Sequence, residues 1–337
     1  MREVITLNDS PFADIDYRFT DYLAKKKSEL QRKMDGNGLP NYAYSMDYEY
    51  RKKLDSIPGL FKLARAVNST IAPQNLMAYN MQGVMASPTQ FKEIYEMAAR
   101  SAKILGIGIP NVLVVPAFDS GGDFNACAYA LDDQEPVILV TGLMVQRMTP
   151  EELNAVIAHE CGHIHNYHSV YSILLSELTV RGMIGLLSLP GVRQFTHALT
   201  QGAKFALNAF SRAAEVTADR AAVICSDNPE DAFNANKKLM YKGAELGDKV
   251  DINLDLNTLR EQFDLMKSNP MRYNELYYNH PATVKRIFAQ MEFAQSEMYY
   301  EWRPDLKKPS KHLLTRKETD DRVKSYIEIA KGKGKAI

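Results

Sequence analysis

The chain has 337 residues, 45% of them hydrophobic, enough for one large domain or a main domain with an appendage. Lys and Arg number 41 and so do Asp and Glu, so no basic excess points to nucleic acid as a partner. Three cysteines (Cys127, Cys161, Cys225) form no spacing pattern, which argues against a disulfide scaffold. Residues 1–9 hold no apolar run of the signal-peptide kind, and the two features together read as a cytoplasmic protein.

Three zones follow one another. Residues 1–80 form an N-terminal helical region rich in Tyr, Lys, Asp and Glu. In it, residues 15–34 read as a helix ending in a Gly/Asn/Pro turn, and residues 48–67 as a second helix. Residues 81–298 form the main domain. A helix over 91–105 carries Ile94, Met97, Ala98, Ala102 and Leu105 on one side. Residues 112–115, 124–130 and 136–141 read as strands, with turns at Gly121-Gly122 and Asp132-Asp133-Gln134. The next helix has a marked start: Thr149 as N-cap, Pro150 in the first turn and Glu152 to complete a capping box. Leu153, Val156, Ile157 and Ile164 give it a buried stripe.

Residues 170–189 are apolar and about as long as a membrane-spanning helix. Glu177 and Arg181 fall inside that stretch, four residues apart, where they can pair with each other but would be costly in lipid. The expectation is an amphipathic helix lying on a membrane surface or packed on protein, not a span. Residues 205–225 read as an alanine-rich helix. Residues 299–337 form a basic C-terminal tail: from Arg303 onward eleven basic residues face five acidic ones, ending in a Lys/Gly run that reads as frayed.

The capped helix carries His159-Glu160-Cys161-Gly162-His163. Side chains four apart on a helix share a face, so both imidazoles can reach one metal ion. Glu160 sits one residue past the first histidine, where its carboxylate reaches a metal-bound water as general base rather than the metal itself. Gly162 allows another element to come close. A third ligand is needed, because a catalytic zinc has three protein ligands and an open position. On a continuing helix His165 and His168 point away from His163, and both read as exposed or packing residues. Glu215 and Asp219 lie one turn apart on the alanine-rich helix, among Ala214, Ala218 and Ala222 that permit tight packing. Such an acidic pair is ordinarily a solvated face. Here Glu215 can complete a zinc site, with Asp219 accepting a hydrogen bond from a ligand histidine.

Together these residues resemble the gluzincin metallopeptidases related to the HtpX heat-shock protease and the CAAX prenyl endopeptidases. Four ordered blocks carry the resemblance over about residues 50–290: Asn125-Ala126-Cys127-Ala128, the zinc helix through His163, residues 211–220, and His280-Pro281 through Arg286-Ile287. The resemblance implies one zinc ion per chain on His159, His163 and Glu215, with Glu160 as base and Asp219 behind the ligands. It implies a substrate-binding edge strand at Asn125 and Ala126. His280 and Arg286 become candidates for stabilising the oxyanion or organising the cleft wall. The implied fold is α+β and mainly helical, zincin-like, with a small sheet as cleft roof and the two ligand helices as floor. Members embedded in membranes carry clear hydrophobic spans that this chain lacks, which favours a soluble or peripheral branch. Cys161 within the motif reads as packing. The expected function is hydrolysis of peptide bonds in a protein or peptide substrate. The alternatives are a zinc-containing binding or chaperone-like module with little turnover, and a latent enzyme whose tail or residues 169–203 cover the site.

Overall fold

The structure, a computed structural model, describes residues 40–329 except 119–121, 131–134, 188, 190–191, 193–199 and 242–254. The expected helix over 15–34, both expected turns in whole or in part, and the terminal Lys/Gly run lie outside those residues. The stretch read as one helix over 48–67 is two, α1 (Ser45–Asp55) and α2 (Leu60–Gln82). Pro58 disfavours helical geometry at Ile57, and Gly59 takes the left-handed conformation (φ 81°) that breaks the run. After β1 (Val84–Met85) comes α3 (Lys92–Leu105), with the expected apolar side buried or packed on the core.

The three expected strands are present as β2 (Asn111–Val115), β3 (Ala126–Tyr129) and β4 (Val137–Thr141). They join β1 in one sheet of order β1-β2-β4-β3, in which β2 and β4 are parallel and the other pairs antiparallel. Alternation along the strands splits the side chains between two layers. Val112, Val114, Ile138 and Val140 face the core built by α3 and the motif helix, whereas Leu113, Val115 and Leu139 pack with Leu76 and Tyr79 of α2. This two-sided burial explains why the strands read as nearly continuous apolar runs. β3 ends the sheet, so among the described residues one of its backbone edges has no neighbouring strand.

A short α4 (Gly142–Arg147) leads into α5 (Pro150–His165), whose capping box forms as expected, and then α6 (Ser169–Val180) and α7 (Gly182–Leu187). Leu174, Leu175 and Leu178 of α6 cluster with Leu63, Val67 and Ile71 of α2, so this stretch is packed on protein. Among the described residues no helix is long and apolar enough to cross a membrane. The alanine-rich helix α8 (Gln201–Cys225) follows, then α9 (Pro229–Met240), α10 (Leu256–Ser268), a 3-10 segment (Pro270–Tyr277), α11 (Thr283–Phe293), α12 (Glu297–Trp302) and α13 (Arg316–Ile327). The molecule is thus mainly helical with a small mixed sheet. The basic region after residue 299 contributes a core helix: Val323 and Ile327 of α13 cluster with Ala213, Val216 and Ala289.

α8 is buried from Phe210 to Cys225. Its Arg220, 1% exposed, donates to Asp320 of α13 at 2.6 Å and to the Tyr42 carbonyl at 3.0 Å, between the rings of Tyr44 and Phe293. The opposite side of α8 crosses α5 at Gly162. A Cβ there would stand 2.7 Å from Ala221 Cβ, 3.0 Å from Ala218 Cα and 3.2 Å from the Ala218 carbonyl oxygen. Backbone atoms cannot rotate away, so Gly162→Ala must push the two helices apart. It is expected to cost about 1–3 kcal/mol, in the range of overpacked cores. A thermal melt in chelator reads this as a lower Tm, and an unchanged Tm would show that the crossing tolerates a methyl group.

Candidate metal centre

The crossing brings three donors together. His159 and His163 stand one turn apart on α5, opposite Glu215 of α8. Their two Nε2 atoms are 3.1 Å apart; His159 Nε2 is 3.5 Å from Glu215 Oε2, and His163 Nε2 is 3.4 Å from Glu215 Oε1. Donors at about 2.1 Å from a tetrahedral zinc are about 3.4 Å from one another, and each imidazole has one Glu215 oxygen near that separation. Imidazole nitrogen with carboxylate oxygen is also a donor set that zinc accepts. Among the described residues this is the group of His, Cys, Asp and Glu side chains close enough together to hold a metal.

Asp219 stands behind His159. His159 Nδ1–H donates to Asp219 Oδ1 at 3.1 Å, which leaves Nε2 free to act as a donor to a metal. Asp219 is held by Arg286 through Nε at 2.8 Å and Nη2 at 2.7 Å, and by Asn236 at 3.3 Å. The remaining Arg286 nitrogen, Nη1, lies 3.1 Å from Glu215 Oε2. The guanidinium is therefore engaged with the two carboxylates. His280 stands at the rim, its side chain 56% exposed and its Nδ1 3.2 Å from Glu215 Oε1. Glu160, buried beside His159, lines the cleft without joining the three donors.

Electrostatics follow from this crowding. Burial works against the Glu215 carboxylate, but His280 and Arg286 hold its pKa well below the usual value. Burial likewise opposes Asp219, yet the charge and hydrogen bonds of Arg286 bring it down to about 2. For His159 burial is the largest influence and disfavours the charged form; hydrogen bonds to Asp219 and Glu215 overcome it and push the imidazole up to about 10. The centre attracts positive charge, and a metal on Nε2 competes with that proton.

The donors open into a cleft of ≈520 Å³ whose walls include β3 and the α6 side chains Ser172, Ser176 and Thr179. Asn125 and Ala126 lie in that wall, at the start of the edge strand. Asn125 turns its backbone towards β4: its N–H donates to Thr141 Oγ1 at 3.1 Å and its carbonyl accepts from Thr141 N–H at 3.0 Å. By antiparallel alternation, the backbone groups of Ala126 and Ala128 belong to the free edge. Ser169 Oγ meets part of that edge, accepting from Ala130 N–H at 3.0 Å and donating to the Ala128 carbonyl at 3.4 Å.

The structure shows two groups that the sequence reading did not assign to the site. His168, expected to be an exposed or packing residue, is fully buried with its Nδ1 2.8 Å from His163 Nδ1. α5 stops at His165, Asn166 Nδ2 donates to the Gly162 carbonyl, and Tyr167 takes φ 57°, so the chain doubles back towards His163. Extrapolating the helix places His168 on the wrong side. Asp47 of α1 then accepts from His168 Nε2 at 2.8 Å. His165 is a packing residue, bonded to Tyr42.

Comparison with known proteins adds the family. The sequence profile described as Peptidase family M48 matches residues 88–292. A protein of Arabidopsis thaliana named plastoglobule-localized metallopeptidase 48, chloroplastic, is 25% identical over 269 residues, 77% of this chain and 74% of its own length. A protease HtpX homolog 2 of Methanosarcina acetivorans is 24% identical over 240 residues, 64% of this chain and 76% of its own. A CAAX prenyl protease 1 homolog of Arabidopsis thaliana is 26% identical over 226 residues, 60% and 48% respectively. No solved structure matches the chain.

The titrating groups around the centre set an acid limit on the metal-free fold. Burial pulls His168 down to about 4 from 6.5, so its contribution is present above pH 6.5 and fades as pH falls to 4. Asp219, lowered from 3.8 to about 2, contributes above pH 3.8 and loses that contribution as pH falls through 2. Melts of the chelator-treated protein from pH 7 to 2 are expected to show Tm falling in both windows. A flat Tm from pH 6.5 to 4 would remove the neutral, buried assignment of His168.

Proposed function

The chain belongs to peptidase family M48 and is a metallopeptidase, and on that premise we propose that it is a zinc-dependent endopeptidase cutting peptide bonds within protein chains. The observation that carries the reading is the group of His159, His163 and Glu215, whose nearest donor atoms are 3.1 to 3.5 Å apart in a cleft that Glu160 also lines. In this reading those three residues hold one zinc ion per chain. Zinc bound there supplies Lewis acidity towards a carbonyl and lowers the pKa of water.

The chain's own residues do the rest. Glu160 removes a proton from the attacking water and later delivers it to the leaving amine. Asp219 fixes the proton of His159 on Nδ1. Arg286, with its nitrogens on Asp219 and Glu215, balances their charge, which makes it a brace within the centre instead of an oxyanion donor. His280, at the exposed rim, is the better placed group to donate to the developing oxyanion. An extended substrate adds along the outer edge of β3 from Ala126 onward, with the Asn125 side chain, which accepts from Ala126 N–H at 3.0 Å, at its start. Three free cysteines, two of them buried, support a reducing cytoplasmic setting.

Casein hydrolysis with metal analysis tests this reading. Glu160→Gln should keep zinc and fold while lowering the rate by roughly 10²–10⁴-fold, the usual worth of a positioned base. Glu215→Ala should lose both zinc and activity, and 1,10-phenanthroline should silence the wild type. Wild-type rates in Glu160→Gln would sink the assignment of the base. Zinc bound to a wild-type protein that cuts nothing would instead favour the binding module.

A further inference from the structure

The two histidines of the centre are supported differently. His159 meets a carboxylate directly, Asp219 Oδ1 at 3.1 Å. His163 meets another imidazole: its Nδ1 is 2.8 Å from His168 Nδ1, and His168 Nε2 is 2.8 Å from Asp47 Oδ2. Both His168 and Asp47 are 0% exposed. We propose that His168 and Asp47 are a positioning pair that fixes the tautomer and ring orientation of His163, so that His163 Nε2 faces the metal; this rests on the zinc reading above.

The hydrogen-bond directions allow one consistent assignment of protons. For His163 to offer its Nε2 lone pair, its proton must sit on Nδ1. That N–H can point at His168 Nδ1 only if the latter is unprotonated. His168 then carries its proton on Nε2 and donates it to the Asp47 carboxylate. Moving the His163 proton to Nε2 sets two lone pairs against each other and closes Nε2 to the metal; moving the His168 proton to Nδ1 sets two N–H groups against each other and leaves the Asp47 carboxylate facing a lone pair. Asp47 accepts in turn from Thr217 Oγ1 at 2.9 Å, two residues beyond Glu215 on α8. The relay therefore ties α1, α5 and α8 to the same ligand, and its carboxylate comes from 121 residues before His168, outside the region matched to the family.

A packing role and a positioning role predict opposite rankings of two variants. His168→Phe keeps the ring volume and removes the acceptor. His168→Gln loses the ring and keeps an acceptor for His163 Nδ1–H. Full-length wild type, both variants and Asp47→Asn are compared by chelator competition for zinc and by the visible absorption of the cobalt-substituted proteins, with circular dichroism confirming the fold. The expected result is that His168→Phe binds zinc about 10–100-fold more weakly, with an altered cobalt band, while His168→Gln stays nearer the wild type. If His168→Phe does not fold, Asp47→Asn decides, with an expected loss of about tenfold. Wild-type zinc affinity and an unshifted band in a folded His168→Phe, or in Asp47→Asn where that variant must decide, overturn the pair while leaving the zinc reading intact. A ranking with Phe above Gln also overturns it. A wild type that takes up no zinc removes the zinc reading itself, and the pair with it.

Discussion

The site depends on how closely two helices can cross. Glu215 reaches His159 and His163 because nothing but a hydrogen atom projects from Gly162 towards the Ala218–Ala221 backbone and side chains. Packing at that distance is available only to small residues, and α8 supplies Ala218, Ala221 and Ala222 there. A donor triangle with edges near 3.4 Å tolerates little drift before one ion can no longer satisfy all three groups. The apolar packing of the α5–α8 pair and the chemistry of the centre are thus one constraint seen from two sides.

Burying this much charge beside the crossing needs compensation. Glu215 and Asp219 are each at or below 5% exposure, and isolated carboxylates in such surroundings would be protonated. Arg286 of α11 spans both, which ties that helix to α8. With a guanidinium for two carboxylates the centre still carries negative charge, which His159 shows by holding its proton up to about 10. A divalent cation is the natural counter-charge, so the electrostatics reinforce what the distances suggest.

Legibility in the sequence followed locality. The capping box at Thr149, the i, i+4 histidines and the strand–helix order were readable because each is decided within a few residues. Glu215 and Asp219 stood out by chemistry, as two acids in an alanine-rich helix. The break at Pro58-Gly59 was also local, and reading 48–67 as one helix missed a plain turn signal. β1, two residues long, exists only because β2 offers it an edge. His168 and Asp47 were illegible for a deeper reason. The turn at Tyr167 has no strong sequence marker, and Asp47 becomes relevant only when α1 has docked 121 residues away from its partner.

The flanks are the less expected part of the architecture. The family match ends at residue 292 and begins at 88, yet α8 is held from both flanks. Before it, Tyr42 and Asp47 reach Arg220 and Thr217; after it, Asp320 pairs with Arg220, and Arg303 donates to the Ile224 and Ser226 carbonyls at the helix end. Ser45 N–H also reaches Asp320 at 3.3 Å, so the two flanks touch each other over the back of α8. A buried arginine with one carboxylate partner is costly to leave unpaired, so removing Asp320 would strand Arg220 inside the protein. The matched region contains His159, His163 and Glu215, and what lies outside the match clamps the helix that carries Glu215.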